Sequence, residues 1–315
     1  MAASQSRCKL PIVDLKKDNL KPGTSSWTAT CDSVRHALEE YGCFLVVQDH
    51  VSAQFEKEVF DVVRELFDLP TETKSQNSLD MFLGYVGQLP HAPLHESMEI
   101  PNATTIDGVQ AFTDLMWPSG NKRFCETMLT YAKLVAEVEQ TVDKMVFASY
   151  GAMDHLESHI ESSTYILRPL KYTPPEMHNN VDVGADVHTD KSFITMLHQN
   201  QVNALKVQAR NGEWIDVDFS PASFLVLAGD AYQAWSNDRI HPPRHQVIMA
   251  ENKERYCIAL FAYNYGMVNV PEILIDEKHP LAFKPFDNFD LLRFFLSRTT
   301  DMSSSTAKAY CGINA

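Results

Sequence analysis

The sequence reads as a mixed α and β protein in which a helical N-terminal part leads into a β-sandwich or jelly roll wrapped by helices. Up to about residue 150, apolar residues recur at the three-to-four spacing of helices. From Ser163 onward the texture changes to short alternating segments separated by turn signals. At 315 residues, 44% hydrophobic and 22% charged, the chain can bury a large core.

Taken in order, "LPIVDL" alternates as a strand, and "DSVRHALEEYG" is a helix capped by Asp32 and stopped by Gly42. "CFLVV" suits a buried strand. Phe55, Val59, Val63 and Leu66 mark a helix between Ser52 and Leu69, which Pro70 ends. Residues 71–120 hold Gly84, Gly87, Pro90, Pro93, Pro101, Pro118 and Gly120 and read as a long irregular segment, of the kind that forms lids or binding surfaces. "NKRFCETMLTYAKLVAEVEQTVDKMVFASYG" is the longest helix, with a Met and Val stripe for core packing. In "ALKVQARNGEWIDVDF", Asn211-Gly212 signals a hairpin. "ASFLVLAGDAYQAWS" and "HQVIMAENKERYCIALFAY" continue the β texture, "NFDLLRFFLSR" is a helix, and the tail is unpatterned. No internal repeat is visible.

Composition narrows the function. With 27 basic against 41 acidic residues the formal charge is −14, which opposes nucleic acid or an anionic membrane as the main partner and favours a small molecule. The six cysteines form neither a CxxC pair nor a disulfide framework, and "MAASQSRCKL" lacks an apolar targeting core. No apolar run approaches the ~20 residues that span a bilayer. A cytoplasmic protein is expected, and a monomer.

The chemistry centres on "GADVHTDKSF", where His188 and Asp190 stand two apart. Residues i and i+2 of a strand share a face, so both groups could grip one ion, although HxD alone arises often by chance. "NDRIHPPRHQV" offers a third ligand. His241 precedes two prolines, whereas His245 opens the apolar run "QVIM" as a strand-borne ligand would, and is favoured. Two histidines and one carboxylate make the facial triad of non-haem Fe(II) oxygenases, with a zinc hydrolase as the other metal reading. Ten residues on, Arg255 shares a strand face with Cys257, Ala259 and Phe261. An inward arginine needs an anionic partner, and the far carboxylate of 2-oxoglutarate would supply it, which favours iron. His198 shares the His188 face by parity but stands too far along to join the same ion.

These residues, together with "LPIVDL", "YGCFLVVQDHVS", "GEWIDVDFSPASFLVLAGD" and "AWSNDRI", make the chain strongly resemble the plant 2-oxoglutarate and Fe(II)-dependent dioxygenases over nearly its whole length. "FLGYVGQ", "PLHESM", "HTDKSFITMLHQNQ" and "KAYCGI" look closest to the AOP-type subgroup of glucosinolate side-chain oxidation and other specialised metabolism. The 57 residues from His188 to His245 and the ten from there to Arg255 are similar to the family's spacing. The resemblance implies a double-stranded β-helix (jelly-roll) core over 161–270, a helical N-terminal region with substrate-side loops over 1–160 and a helical extension over 271–315.

It also implies Fe(II) on His188, Asp190 and His245, 2-oxoglutarate on Arg255, Cys257 and Tyr172, O2 as oxidant and ascorbate as reductant. The implied reaction oxidises a small plant specialised metabolite while 2-oxoglutarate becomes succinate and CO2. Hydroxylation is the leading outcome, with desaturation, demethylation and ring closure as relatives. Two departures stand out: the family's serine two residues after the arginine is Cys257, and its Asn-Tyr-Tyr-Pro stretch is "LKYTPP", in which Tyr172 matches best. Phe82, Tyr85, Met98, Met116 and Trp117 of the irregular segment, with Lys191 and Phe261, are expected to wall the substrate pocket. The competing functions are a related Fe(II) oxidase that does not use 2-oxoglutarate and a non-catalytic receptor on the same fold.

Overall fold

The computed structural model describes residues 9–15, 21–48, 51–78, 84–87, 92–178, 182–221, 223–297 and 305–313. In chain order the elements are β1 (Ile12–Asp14), α1 (Ser25–Glu40), β2 (Cys43–Val47), α2 (Ala53–Phe67), α3 (Thr71–Lys74), β3 (His95–Ser97), α4 (Ile106–Met116), α5 (Lys122–Ser149) and α6 (Leu156–Ser162). Then follow β4 (Ser163–Tyr172), β5 (Val183–His188), β6 (Ile194–Gln199), β7 (Leu205–Gln208), β8 (Trp214–Asp216), β9 (Ser223–Ala228) and α7 (Asp230–Trp235). The chain closes with β10 (Arg244–Ile248), β11 (Arg255–Asn264), a short pair β12 (Met267–Val268) and β13 (Phe286–Asp287), α8 (Asn288–Ser297) and α9 (Thr306–Cys311).

Two sheets face each other. The larger runs β1-β2-β9-β6-β11-β4-β3 and the smaller β5-β10-β7-β8. All pairings are antiparallel except β1 with β2. The pleat explains why the central strands read as unbroken apolar runs. On β2, β9 and β11, Phe44, Val46, Phe224, Val226, Ile258 and Leu260 join the core beneath the helices. Their neighbours Leu45, Leu225, Leu227, Cys257 and Ala259 point into the space between the sheets. Each fully buried residue of this kind contributes about 1.5–3 kcal/mol. The floor between the sheets is therefore rigid, and the site is built on it.

The helices follow their caps. Ser52 and Asn121 accept from Phe55 N and Phe124 N at the starts of α2 and α5. Gly42 ends α1 with a φ of +69°, and a Cβ there would meet the His241 carbonyl oxygen at 2.1 Å. The expected cap at Asp32 is corrected. α1 starts at Ser25 with Thr24 as its cap, because Trp27, Cys31, Val34 and Leu38 already line its buried face.

Three further expectations are corrected. Residues 71–120 contain α3, β3 and the eleven-residue α4, which Pro101, Pro118 and Gly120 flank and which carries Gly108 in its first turn. "DAYQAW" is helical (α7), so it and the start of "AWSNDRI" are not barrel strands. The tail carries α9. A boundary near 160 falls where α6 meets β4, yet β1, β2 and β3 belong to the larger sheet, so the N-terminal part is built into the core. Five described cysteines are free and buried. Among the described residues no helix is long and apolar enough to cross a membrane.

Candidate active site

β5 and β10 pair with His188 opposite His245, which brings the two rings to 4.2 Å between centroids. Asp190 lies two residues beyond the end of β5, and its backbone oxygen accepts from Asp230 N at 2.8 Å. The Asp190 carboxylate thus sits 3.8 Å from His188 Nε2 and 3.7 Å from His245 Nε2, too far for hydrogen bonds. One ligand atom from each residue lies within 4.8 Å of the others, the one such group among the described residues.

Hydrogen bonds behind these atoms fix their roles. His188 Nδ1 meets the Asp186 carbonyl at 2.8 Å and His245 Nδ1 the Pro243 carbonyl at 3.1 Å. A carbonyl only accepts, so each Nδ1 carries the proton and each Nε2 presents its lone pair to the gap. The Thr195 hydroxyl donates to Asp190 Oδ2 at 2.7 Å and leaves Oδ1 for the gap. Burial pulls the His188 imidazole down to about 4, which keeps it neutral. Burial pushes Asp190 up, but His245, His188, the Thr195 hydroxyl and Lys191 outweigh it and hold the carboxylate below its ordinary value. Two imidazole Nε2 atoms and the Asp190 carboxylate around a gap form a donor set that fits a divalent cation.

Arg255 is fully buried on β11. Its Nε and Nη2 donate to Gln199 Oε1 at 3.0 and 2.8 Å, and its guanidinium carbon lies 5.1 Å from the centre of the Tyr172 ring, opposite it across the β4–β11 pair. Nη1 is buried with no partner among the described residues. An unsatisfied buried cationic donor of this kind calls for an anionic acceptor, and a carboxylate fits. Cys257 faces the same way. Burial raises its thiol, against the pull of Arg255. Gly184 on β5 lets the backbone pass the Tyr172 ring, which a Cβ would approach to 2.8 Å.

These groups open on one cavity of about 610 Å³, which Tyr172, His188, Asp190, Lys191, His245, Arg255, Cys257 and Phe261 all line. Lys191 is spent on structure. Its Nζ donates to Thr189 O, Thr189 Oγ1 and Asp230 Oδ2 at 2.6, 2.8 and 2.7 Å and lies 4.3 Å from the centre of the Phe295 ring. The expected pocket wall is corrected in part. Tyr85, Met98, Met116 and Trp117 pack into the helical core and do not line the cavity, whereas Phe82 lies outside the described residues. The same segment reaches the cavity through Val86, Ala92, His95 and Glu99, and α8 adds Leu292, Phe295 and Leu296.

Sequence reasoning missed Arg168, which also lines the cavity, although strand parity with Tyr172 four residues on was a usable signal. His198 is no ligand, but for another reason than distance along a shared face. It points the other way, against Phe60, Tyr131 and Phe224. His241 lies outside the trio. β10 and β11 belong to opposite sheets although only six residues separate them, so His245 and Arg255 face each other's layer across the cavity.

Comparison with known proteins agrees with this geometry. A family model described as the 2OG-Fe(II) oxygenase superfamily matches residues 165–263, and one described as non-haem dioxygenase in morphine synthesis N-terminal matches residues 10–101. A probable 2-oxoglutarate-dependent dioxygenase AOP1.2 of Arabidopsis thaliana is 38% identical over 310 residues, covering 96% of this chain and 95% of that protein. The 2-oxoglutarate-dependent dioxygenase AOP3 of the same plant is 30% identical, with 98% of each covered. A crystal structure of the rice dioxygenase for auxin oxidation superposes with a TM-score of 0.80 at 30% identity, over 96% of this chain and 100% of that one. The fold is thus the jelly-roll core wrapped by helices, with Fe(II) and 2-oxoglutarate as the cofactors of the group. The chain belongs to the 2OG-Fe(II) oxygenase superfamily and is a 2-oxoglutarate-dependent dioxygenase.

Proposed function

We propose that this dioxygenase hydroxylates a small plant specialised metabolite in the cavity between its sheets, with His188, Asp190 and His245 as iron ligands and Arg255 as the cosubstrate anchor. One observation carries the reading: three ligand atoms around a gap and the unpartnered Nη1 of Arg255 open on the same enclosed space. When bound, the iron and 2-oxoglutarate supply the activation of O2 that oxidises a C–H bond, with succinate and CO2 as coproducts.

The rest is the work of this chain's own residues. The backbone carbonyls behind His188 and His245 hold each Nε2 toward the metal position, and Thr195 turns one Asp190 oxygen to it. Gln199 holds the Arg255 guanidinium by one edge, so its remaining donors face the cavity and meet the far carboxylate of 2-oxoglutarate. Tyr172 packs against that guanidinium. Leu197, Leu205, Leu227 and Val247 surround the cosubstrate end with apolar surface, which excludes water and strengthens the charged contact. Phe261, Ile166 and α8 are left to enclose the substrate.

The test is a metabolite screen read by succinate formation, repeated without 2-oxoglutarate. Succinate that rises with one metabolite, together with a product heavier by one oxygen atom, supports the proposal. Oxidation that continues without 2-oxoglutarate would turn the reading to the oxidase, and metabolite binding with no turnover would turn it to the receptor.

A further inference from the structure

We propose that the substrate of this dioxygenase carries a carboxylate, and that Arg168 on β4 binds it. The inference rests on the reading above, because it concerns the part of the cavity which metal and cosubstrate leave free.

Strand parity puts Ile166, Arg168, Leu170 and Tyr172 on the cavity side of β4. Across the strand pair they face Phe261, Ala259, Cys257 and Arg255. Arg168 therefore stands four residues from the Arg255 level, about 13 Å along the strand at ~3.3 Å per residue. The cavity holds two guanidinium groups at two depths, and only the deeper one is used by the cosubstrate.

Arg168 is poorly served by the protein. Its side chain is 15% exposed, and Nη2 lies 3.2 Å from Glu99 Oε1. Even so, Nε and Nη2 are buried without a hydrogen-bond partner among the described residues. The Glu99 contact offsets charge but does not satisfy the donors, and Glu99 Oε2 is already engaged by Gly84 N at 3.1 Å. Nε and Nη2 form one edge of the planar guanidinium, the edge that meets both oxygens of a carboxylate in parallel. A ligand that supplied those oxygens would satisfy two donors that this wall leaves unmade.

His95 adds to the same wall. It lines the cavity, its Nε2 meets Ser97 Oγ at 3.0 Å, and its Nδ1 is also buried without a partner. Burial, reinforced by Arg168, pulls its imidazole down to about 3, so it brings a neutral hydrogen-bonding atom and no competing charge. The remaining surface at this end is mostly apolar, with Ile166, Phe261, Leu292, Phe295 and Leu296 beside Tyr263. The complementary molecule has one anionic end for Arg168 and a hydrocarbon or aromatic body for the rest.

Acids and their uncharged amides separate the two readings of Arg168. The Fe(II)-loaded protein, held without O2 and with saturating 2-oxoglutarate to block Arg255, is titrated calorimetrically with 3-phenylpropionate against 3-phenylpropionamide and with cyclohexaneacetate against cyclohexaneacetamide. Each acid should bind about tenfold or more tightly than its amide, as a charge-assisted contact implies. Arg168→Leu should erase that preference and leave 2-oxoglutarate affinity unchanged. Glu99→Gln should tighten acid binding several-fold by removing the competing carboxylate, and it decides the matter if Arg168→Leu does not fold. No acid preference in the unaltered protein, a preference that survives Arg168→Leu, or acid binding that is unchanged or weaker in Glu99→Gln overturns the proposal. Failure to bind 2-oxoglutarate would tell against the cosubstrate reading; a missing acid preference with 2-oxoglutarate bound tells against Arg168 alone.

Discussion

Two clusters in this molecule use the same residue types and come to opposite ends. Behind α5, His159 Nε2 lies 2.9 Å from Asp143 Oδ2, while Tyr232 donates to Asp143 Oδ1 at 2.9 Å and Tyr165 to Glu139 Oε2 at 2.8 Å. Burial and the nearby Asp143 raise Glu139 well above the ordinary carboxyl range. At the cavity, Asp190 stands 3.7 and 3.8 Å from its histidines and bonds to neither. In the first cluster both Asp143 oxygens and Glu139 Oε2 are taken up by neighbouring side chains, and Glu139 Oε1 alone of these carboxylate oxygens has no hydrogen-bond partner among the described residues. In the second, bonds to Asp186, Pro243 and Thr195 hold each side chain from behind, so that the front atoms are kept apart. A histidine beside an aspartate does not make a site; a gap that the surrounding hydrogen bonds keep open does.

The sharpest way to break this contrast is to remove one member of each cluster. His188→Ala, Asp190→Ala or His245→Ala should lose iron in equilibrium dialysis and reduce succinate formation to background, with little loss of fold. Asp143→Ala should do the reverse: about 3–5 kcal/mol of stability lost in denaturant unfolding, as when one partner of a buried pair is removed, with iron still bound by the folded fraction. Iron lost in Asp143→Ala at full folding, or kept in His245→Ala, would erase the distinction.

Smaller changes probe what lies behind the ligands. Arg255→Lys keeps the charge but loses the fork held by Gln199, so 2-oxoglutarate should bind about ten- to a hundredfold more weakly, the loss of one or two charge-assisted bonds. An unchanged cosubstrate requirement in that variant would remove Arg255 as the anchor. Thr195→Val should weaken iron binding by roughly tenfold, near the lower end for an outer hydrogen bond to a ligand. Unchanged metal affinity would mean that the Thr195 bond serves Asp190 only as structure.

The contrast also explains what could be read from the sequence. That His188, Asp190, His245 and Arg255 gather at one cavity was legible because each sits on or beside a strand, where a period of two assigns faces. Arg168 obeys the same parity with Tyr172 but reads as an ordinary strand residue until the cavity is seen. Met98, Met116 and Trp117 mislead for a related reason. Aromatic and Met content marks packing as readily as binding, and α4 turns its apolar face to the helical core. The contribution of α8 to the substrate end was hidden, because nothing local in "NFDLLRFFLSR" tells which surface a helix will cover. α7 was hidden by its neighbours, six residues between two strong strands.

The smallest expected effect concerns Cys257, which stands where the family pattern read from the sequence implies a serine. The residue is buried on the cavity face two positions from Arg255, with Leu170 beside it on β4 and Gln199 beside it on β6. A thiol is a weak donor, so the contact it offers a carboxylate held by Arg255 adds little. Cys257→Ser places a stronger donor at the same point, and the Arg255 guanidinium gives the hydroxyl an ionic neighbour when cosubstrate is absent. The KM for 2-oxoglutarate should stay level or fall by up to about fivefold, the ~1 kcal/mol of one hydroxyl hydrogen bond, with kcat unchanged because the contact is the same before and during reaction. A collapse of 2-oxoglutarate binding in Cys257→Ser would mean that the thiol does what no weak donor can, and that the cosubstrate meets this wall in another pose.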